Sequence, residues 1–349
     1  MSWIKDMIQA LLIAMLIFLL IDIAITSLSG YRGLSKFFIS HDVEGRINKP
    51  NFSGVFGSVL DEFNGTVTID KIGERRSSSY DCKVSPNSIL FLGDSTTAGF
   101  EVDDDKTFVS LFNGSCMIDG RLGINLGVRA HDTHAVIGSY LRVKDDLPHG
   151  VVVYLMTSND FSENVNANAY HTMTKRFGRR FNAAIVNPED SKLFNLYADI
   201  RVFIGDRLSL TTFAIAKLAL LRDSFSTDEL NPESNEVGDD LLNQIEVAYQ
   251  LITELNSLVS AKGGSLYVMP YPRLSSFQDI NRNQLIIGLN KKLQNSPSKI
   301  RYFSDIDMMV NKFVTEDNME IESMRFQKDG HLSEYGHKVI SKILTSAIK

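Results

Sequence analysis

The sequence has few cysteines and no excess of positive charge, and both shortages limit what the chain can be. With 36 Lys and Arg against 42 Asp and Glu, the formal net charge is −6. A nucleic-acid binder usually presents a concentrated basic face, so we expect no nucleic-acid partner. The chain also lacks a repeat of solenoid or propeller period. Hydrophobic residues at 44% and charged residues at 22% are ordinary for a globular protein and exclude a disordered or fibrous chain.

The two cysteines, Cys82 and Cys116, do not have the spacing of a metal-ligand pair. They are either two unrelated thiols or one disulfide, which would require an oxidising compartment. Each precedes a predicted parallel strand, so both could lie at the same edge of the sheet. We find no other ligand spacing and no phosphate-binding loop, and we therefore expect neither a metal nor a cofactor.

A long apolar run, residues 7–28, lies close to the N-terminus and contains a single acidic residue, Asp22. Roughly twenty apolar residues match the hydrocarbon thickness of a bilayer, so we predict one transmembrane helix within an anchor domain of residues 1–30. The alternative is a cleaved signal peptide, but its apolar region is normally shorter and Ser27–Gly30 is a poor cleavage site. The expected protein is a single-pass membrane protein that contacts the lipid bilayer.

The orientation of this anchor is open to two arguments. Basic residues are more numerous after the run than before it, which by the positive-inside rule places the large domain in the cytoplasm. An N-terminal anchor with few preceding residues, however, usually leaves those residues in the cytoplasm and exports the rest. We expect the second outcome, with an extracytoplasmic domain.

From about residue 88 the chain alternates between strand and helix patterns. Five short apolar runs are typical of buried parallel strands: Ser88–Gly93, Gly123–Val128, Val151–Met156, Ser265–Pro270 and Lys299–Phe303. Helix patterns lie between or after them at Thr107–Asn113, Thr133–Val143, Asp239–Ala261 and Gly336–Ile348. This alternation predicts an α/β fold in residues 88–349, a three-layer sandwich with a central five-stranded parallel sheet.

Two regions lie outside this alternation. Residues 31–87 are a lead-in segment that we expect to pack on the domain, with a strand near Val67–Ile69. Residues 161–238 are an insertion between the third and fourth strands, with a basic cluster at Lys175–Arg180 and an apolar stretch at Leu208–Leu221. The cluster is either a solvated face or a contact for anionic lipid or acidic polysaccharide. The stretch is either a core or lid helix or a segment that re-enters the membrane.

A serine follows the first predicted strand, in the block Gly93–Asp94–Ser95. Side chains at this point lie at the carboxyl edge of a parallel sheet, where open α/β folds place their ligands. The backbone N–H groups there have no strand partner and can receive a developing negative charge. Gly-Asp is also common turn chemistry, so this block by itself is a weak signal.

A possible base for this serine lies near the C-terminus, in Asp329–Gly330–His331. Serine is a poor nucleophile without a base, and histidine is the usual base at neutral pH. Asp329 is close enough in sequence to orient the ring of His331 and stabilise its imidazolium. Capping and turn chemistry before the last helix is the alternative reading of the block. His337 is a rival base, but it lies within the start of the helix.

Donors for an oxyanion can be expected after the second and third strands. The backbone N–H groups of Gly127 to Ala130 follow the second strand. Asn159 follows the third strand, where its side-chain amide could donate to an oxyanion or could simply begin a loop.

Taken in order, these four blocks resemble those of the SGNH (GDSL-like) hydrolase superfamily. The resemblance covers residues 88–349 and implies Ser95 as nucleophile, His331 as base and Asp329 as its partner. It implies an oxyanion hole formed by the N–H groups of Ser95 and of Ala130 or Gly127, together with the Asn159 amide. The sequence departs from the family pattern in three ways: Ala130 replaces the oxyanion glycine, Thr157 begins the third block, and the Asp-to-His spacing is shortened.

The resemblance implies acyl transfer through an acyl-serine. The substrate would be an acylated carbohydrate of the cell envelope or an exported polysaccharide, and the product would form by hydrolysis or by O-acyl transfer. A lipid esterase is the alternative enzyme. The alternative from another class is an inactive glycan-binding or assembly subunit that keeps the fold.

Overall fold

The computed structural model describes residues 2–28, 37–41, 44–58, 62–76, 84–114, 121–165, 237–272, 280–298 and 300–348. Helix α1, Ser2–Leu28, comes first. Its stretch Trp3–Ala24 has a mean hydropathy of 2.6 and is long and apolar enough to cross a membrane, a test that a signal sequence near the N-terminus also passes. Cys82, Cys116, the basic cluster and the apolar stretch of the insertion lie outside the described residues.

The described part of the lead-in forms two antiparallel hairpins. The first pairs β1, Phe38–His41, with β2, Gly45–Asn48. The second pairs β3, Phe52–Gly57, with β4, Asn64–Ile69. The strand predicted near Val67–Ile69 is therefore the end of β4, one of two paired strands in the second hairpin.

The domain that follows is built on five parallel strands. They are β5, Ile89–Gly93; β6, Gly123–Asn125; β7, Val151–Met156; β8, Ser265–Pro270; and β9, Arg301–Tyr302. Their order across the sheet is β6-β5-β7-β8-β9, and every neighbouring pair is parallel. This arrangement confirms the predicted α/β class and the five-stranded parallel sheet.

The helices follow the strands in chain order. They are α2, Ser95–Ala98; α3, Phe108–Asn113; α4, Thr133–Val143; α5, Val237–Ala261; α6, Ile280–Gln294; α7, Ile306–Glu316; and α8, Glu334–Ala347. Short 3₁₀ helices span Asp104–Lys106 and Ile321–Met324, and residues 158–165 are also helical. Helices α6 and α7 are additions to the elements predicted from the sequence.

Helices cover both faces of the sheet because successive strand residues point to opposite sides. On one face, Leu90 and Leu92 of β5 pack in a core with residues of α4, α5 and α6. On the other face, Ile89 and Phe91 pack in a second core with residues of α3, α7 and α8. Burial on both sides explains why these strands read as nearly continuous apolar runs.

A third apolar core lies between the lead-in and the beginning of the domain. Phe37, Val67 and Ile69 of the lead-in pack there with Ala98 and Phe100, which lie at and just after the end of α2. The rings of Phe37 and Phe100 are 5.2 Å apart. The lead-in therefore packs directly on the segment that carries the candidate nucleophile.

The second and fifth strands are shorter than predicted. β6 ends at Asn125 rather than Val128, where the Oδ1 of Asn125 accepts the N–H of Gly127, two residues further on, at 3.0 Å. Two bonds to β5 continue beyond that point, from the Leu126 N–H to Phe91 and from the Val128 N–H to Gly93.

Candidate active site

The structure brings three of the predicted residues into one hydrogen-bonded chain. Nε2 of His331 is 2.9 Å from Oγ of Ser95, and Nδ1 of His331 is 2.5 Å from Oδ1 of Asp329. A carboxylate only accepts hydrogen bonds, so Nδ1–H donates to Asp329, and Nε2 of the neutral ring is left to accept the Ser95 hydroxyl. Ser95 and His331 lie 236 positions apart in the chain. Ser95, Asp329 and His331 are all partly exposed, so a substrate could reach them.

The position of Ser95 follows from the local structure at the end of β5. Gly93 ends the strand at φ 152°, and a Cβ at that position would lie 2.8 Å from the Leu155 carbonyl oxygen. Only glycine accepts this close approach between neighbouring strands. Asp94 then caps α2, since its carboxylate accepts the Thr96 N–H at 2.9 Å. Ser95 is thereby placed at the first position of the short helix, at the carboxyl edge of the sheet.

Thr157, one of the departures from the family pattern, links the first and third blocks. Its hydroxyl donates to Oδ2 of Asp94 at 3.0 Å, and its backbone N–H donates to Oδ2 of Asp160 at 2.8 Å. Asp160 also accepts the hydroxyl of Tyr154 at 2.9 Å. Burial raises the pKa of both carboxyls, and for Asp160 the nearby charge of Asp94 raises it further. These groups form a buried polar network directly under the nucleophile.

The ring of His331 has the electrostatics of a general base. Burial acts to lower its pKa, but the hydrogen bond to Asp329 and the negative charge of Glu101 outweigh burial, and the pKa of His331 is raised above its ordinary value. For Asp329, burial acts to raise the pKa, yet the bond from His331 and its charge hold that pKa below the usual range. The pair therefore favours an ionised carboxylate beside a basic imidazole.

The rival base, His337, lies elsewhere in the packing. Its Nδ1 accepts the Phe108 N–H at 3.2 Å, and its ring stacks on that of Phe108 at 5.8 Å. Burial, followed by the charges of Arg75 and His331, lowers the pKa of His337 to about 3. The ring is neutral and connects α8 to α3.

The predicted oxyanion donors Gly127 and Ala130 differ in their surroundings. The N–H of Gly127 is already given to Asn125, and its carbonyl oxygen accepts Nδ2 of Asn48 at 2.9 Å. The N–H of Gly127 would therefore have to leave Asn125 in order to reach an oxyanion. A Cβ at Gly127 would lie 2.6 Å from the Thr97 carbonyl carbon, so glycine is needed there for close approach to α2. Ala130 is exposed and adopts φ 55°.

Asn159 is exposed at the start of the helical residues 158–165. Its side chain donates a hydrogen bond to the carboxylate of Glu163, which acts to lower the pKa of that group. The Asn159 amide would have to exchange this bond in order to reach an oxyanion.

A second carboxylate beside His331 was not predicted. Oε1 of Glu101 is 3.7 Å from Nδ1 of His331, and Arg129 forms an ion pair with Glu101. Glu101 and Asp329 contribute one oxygen each, and His331 one nitrogen, to a group of atoms within 4.8 Å of one another, a spacing that a metal ion could also use. A metal there would compete with Arg129 for Glu101 and with His331 for Asp329. The protein's own cation and ring N–H already occupy these oxygens.

The lead-in also reaches the loop that carries the base. Glu62, just before β4, accepts the Lys328 N–H at 2.8 Å and the Asp329 N–H at 2.7 Å. Beside it, the ring of Phe63 lies 5.0 Å from that of Phe326. No spacing in the sequence points to this contact, because Glu62 and Asp329 are 267 positions apart.

We expect Glu62→Ala to lower kcat/KM for any reaction that uses His331 as a base by roughly tenfold to a hundredfold, because small displacements of catalytic groups are costly. Glu62→Gln keeps an acceptor oxygen and should lose less. Glu316→Ala removes an exposed carboxylate on α7 and serves as the control. Unaltered kinetics in Glu62→Ala would show that the loop holds its position without this contact.

No family model matches the chain, and no curated protein matches it by sequence. Among solved structures, it is similar to TesA, with 9% identity and a TM-score of 0.41 over 75% of this chain and 98% of that one. It is also similar to a psychrotrophic esterase, EstA, from Pseudoalteromonas sp., with 11% identity and a TM-score of 0.40 over 75% and 96%. A third is an acetylxylan esterase from Geobacillus stearothermophilus, with 12% identity and a TM-score of 0.37 over 75% and 94%.

Proposed function

We propose that the protein is a serine-dependent ester hydrolase or O-acyltransferase of the SGNH type, built on an α/β fold with a Ser–His–Asp chain at the edge of its parallel sheet. The hydrogen-bonded chain from Ser95 through His331 to Asp329 is the observation that carries this proposal. A serine hydroxyl becomes a good nucleophile when a histidine accepts its proton and a carboxylate orients and stabilises that histidine, and this is the arrangement around Ser95.

The reaction has two steps. His331 takes the hydroxyl proton as Oγ of Ser95 attacks the ester carbonyl, and the carboxylate of Asp329 stabilises the imidazolium that forms. The N–H groups of Ser95 and Ala130, assisted by the Asn159 amide once it leaves Glu163, hold the tetrahedral oxyanion. His331 then returns the proton to the leaving alcohol as the acyl-serine forms. In the second step, His331 takes a proton from water or a sugar hydroxyl as its oxygen attacks the acyl-serine, and the ring then returns that proton to Oγ of Ser95 as the acyl group leaves.

The proposed substrate is an acylated carbohydrate of the cell envelope or an exported polysaccharide, presented to a domain held at the membrane by residues 7–28. The domain lies on the extracytoplasmic side. The apolar helix near the N-terminus supports the anchor, and resemblance to anchored polysaccharide-modifying relatives supports the carbohydrate.

The test uses the full chain in detergent micelles, with a chelator present throughout. Wild-type protein should react with a fluorophosphonate probe and release acetate from p-nitrophenyl acetate, and Ser95→Ala should do neither. Efficient release into water indicates a hydrolase. A transferase would release acetate slowly and would form acetylated oligosaccharide when an oligosaccharide is added. A wild-type protein inert in every arm would favour the inactive binding subunit.

The pH dependence follows from the raised pKa of His331. The free enzyme needs this ring neutral, so kcat/KM should fall as the pH drops through the pKa of His331 and should be fully present above it. We expect the midpoint of this acid limb to lie above 6.5, the ordinary value for histidine. A limb centred below that value would contradict the assignment of His331 as the base.

A further inference from the structure

A buried glutamate near the start of the domain, Glu101, lies beside the ring of His331, which is near the end of the domain. Glu101 lies in the segment after α2 and is 2% exposed. Its Oε1 is 3.7 Å from Nδ1 of His331, the same nitrogen that donates to Asp329. The ring nitrogen therefore meets two carboxylates, one on its own loop and one on the segment that carries Ser95.

Arg129 is the ion-pair partner of this glutamate. A buried carboxylate is stable in its ionised form only with a partner, and the Arg129 guanidinium forms an ion pair with Glu101. The guanidinium also lies 5.0 Å from the centre of the Phe56 ring, in the lead-in. Arg129 directly precedes Ala130, so the ion pair links the base to the segment proposed to hold the oxyanion.

We propose that Glu101 is a positioning residue for His331, a second carboxylate that stabilises the imidazolium and limits rotation of the ring. This inference rests on the proposed function, because it assigns Glu101 a role in the same acyl-transfer site. Its contribution is smaller than that of Asp329, which is more than 1 Å closer to the ring nitrogen.

The charged groups around His331 set the direction of the expected effects. The negative groups are Asp329 and Glu101, with Asp94 below the nucleophile. The positive group is Arg129, and His337 is a neutral ring behind α2. Glu101 raises the pKa of His331, whereas Arg129 lowers it. Removing the charge of Glu101 should therefore make the base weaker.

The first arm of the test compares pH profiles. In Glu101→Gln, the acid limb of kcat/KM should move to lower pH. The value of kcat should fall roughly tenfold, less than the 10²–10⁴-fold typical of losing the acid or base itself. KM should change little, since Glu101 is buried. Glu101→Asp keeps the charge, so the midpoint of its acid limb should stay close to that of wild type. This variant replaces Glu101→Gln in the comparison if Glu101→Gln folds poorly.

The second arm asks whether Glu101 acts through the same ring nitrogen as Asp329. If it does, Glu101→Gln should cost more in an Asp329→Ala background than in the wild type, because Glu101 is then the one carboxylate left beside Nδ1. An equal loss in both backgrounds would mean that Glu101 supports the fold alone, and the proposal would be overturned.

Glu44→Gln is the matched control. Glu44 is also fully buried and pairs with an arginine, Arg142, at 2.7 Å, but its contacts are with Ser139 and His41. Its loss should lower stability and leave the acid limb where it is. A parallel shift in both variants would indicate a general effect of losing a buried charge.

A third arm does not depend on activity. Histidine ring signals can be followed by NMR in protein labelled at its 7 histidines, with His331 identified by its absence in His331→Gln. The titration midpoint of His331 should be lower in Glu101→Gln than in wild type and unchanged in Glu44→Gln. A midpoint that is unchanged in Glu101→Gln would contradict the proposed role of Glu101. Failure of the proposed function would appear separately, as hydrolysis that persists in Ser95→Ala.

Discussion

Ser95→Ala is expected to lower kcat/KM for p-nitrophenyl acetate by about 10⁴-fold or more. The variant loses the hydroxyl that bonds Nε2 of His331 at 2.9 Å. No other group on the described residues is placed between that ring and the edge of the sheet to form the acyl intermediate. What remains would be weak water attack assisted by the oxyanion donors. The change removes one oxygen from a partly exposed side chain, so the melting temperature should hardly change.

Ser162→Ala is the control for this prediction. Ser162 is an exposed serine on the helical residues 158–165, and its hydroxyl donates to the Asn159 carbonyl at 3.0 Å. Its loss should leave both fluorophosphonate labelling and hydrolysis near wild type. If Ser95→Ala hydrolysed the ester as fast as wild type, the Ser–His–Asp chain would be an accident of packing.

The second large effect is on stability and concerns Arg75, which is completely buried. Its guanidinium donates to the carbonyl oxygens of Ala98 at 2.8 Å and Val102 at 2.7 Å, and also to that of Gly99. Nε faces Asp104 at 3.4 Å. The lead-in thus supplies the donors for carbonyls at the end of the nucleophile helix.

Arg75→Ala would leave the buried carbonyl oxygens of Ala98 and Val102 without the guanidinium that donates to them. A buried acceptor left without its donor costs roughly 1–3 kcal/mol, so the two together should lower the free energy of unfolding by about 4 kcal/mol. For a domain of this size, that corresponds to a fall in melting temperature of roughly 10 °C, measured by circular dichroism. Activity should fall with it, since the segment from Ser95 to Glu101 loses its support.

Arg76→Ala provides the comparison, because the neighbouring arginine is exposed. It should melt within about 2 °C of wild type, as expected for a surface substitution. Arg75→Lys keeps the charge but not the planar fork, and it should recover part of the loss. Equal melting temperatures for Arg75→Ala and Arg76→Ala would mean that the lead-in does not support the site.

Much of the architecture can be predicted from the sequence because its signals are local. β7 and β8 have the bounds expected from their apolar runs, and α4 has those expected from its helix pattern. Helix α6 could have been found in the same way, since Leu285, Leu289 and Leu293 recur every four residues and are buried in one core. The bounds of β6 could not, because its apolar run continues to Val128 whereas the strand ends at Asn125.

The candidate site likewise contains residues that local sequence signals predict and residues that they do not. Ser95, Asp329 and His331 each belong to a short block whose chemistry is visible in adjacent residues. The place of Ser95 follows from the rule that ligands bind at the carboxyl ends of parallel strands, whereas its meeting with the loop of Asp329 and His331 was implied by the family resemblance. Glu101, Arg75 and Glu62 belong to no such block. Their roles come mainly from partners far along the chain, such as Ala98 for Arg75 at 23 positions and Asp329 for Glu62 at 267 positions, and no local spacing encodes such a pairing.

The amino-acid sequence by itself determined the alternation of strands and helices, the apolar N-terminal helix and the residue types of the candidate nucleophile, base and acid. Only the tertiary structure decided which charges surround the base and which contacts connect the lead-in to the site. The physical reason is that secondary structure responds to the periodicity of neighbouring side chains. Buried ion pairs and hydrogen bonds instead depend on which distant segments the packing brings within about 3 Å of one another.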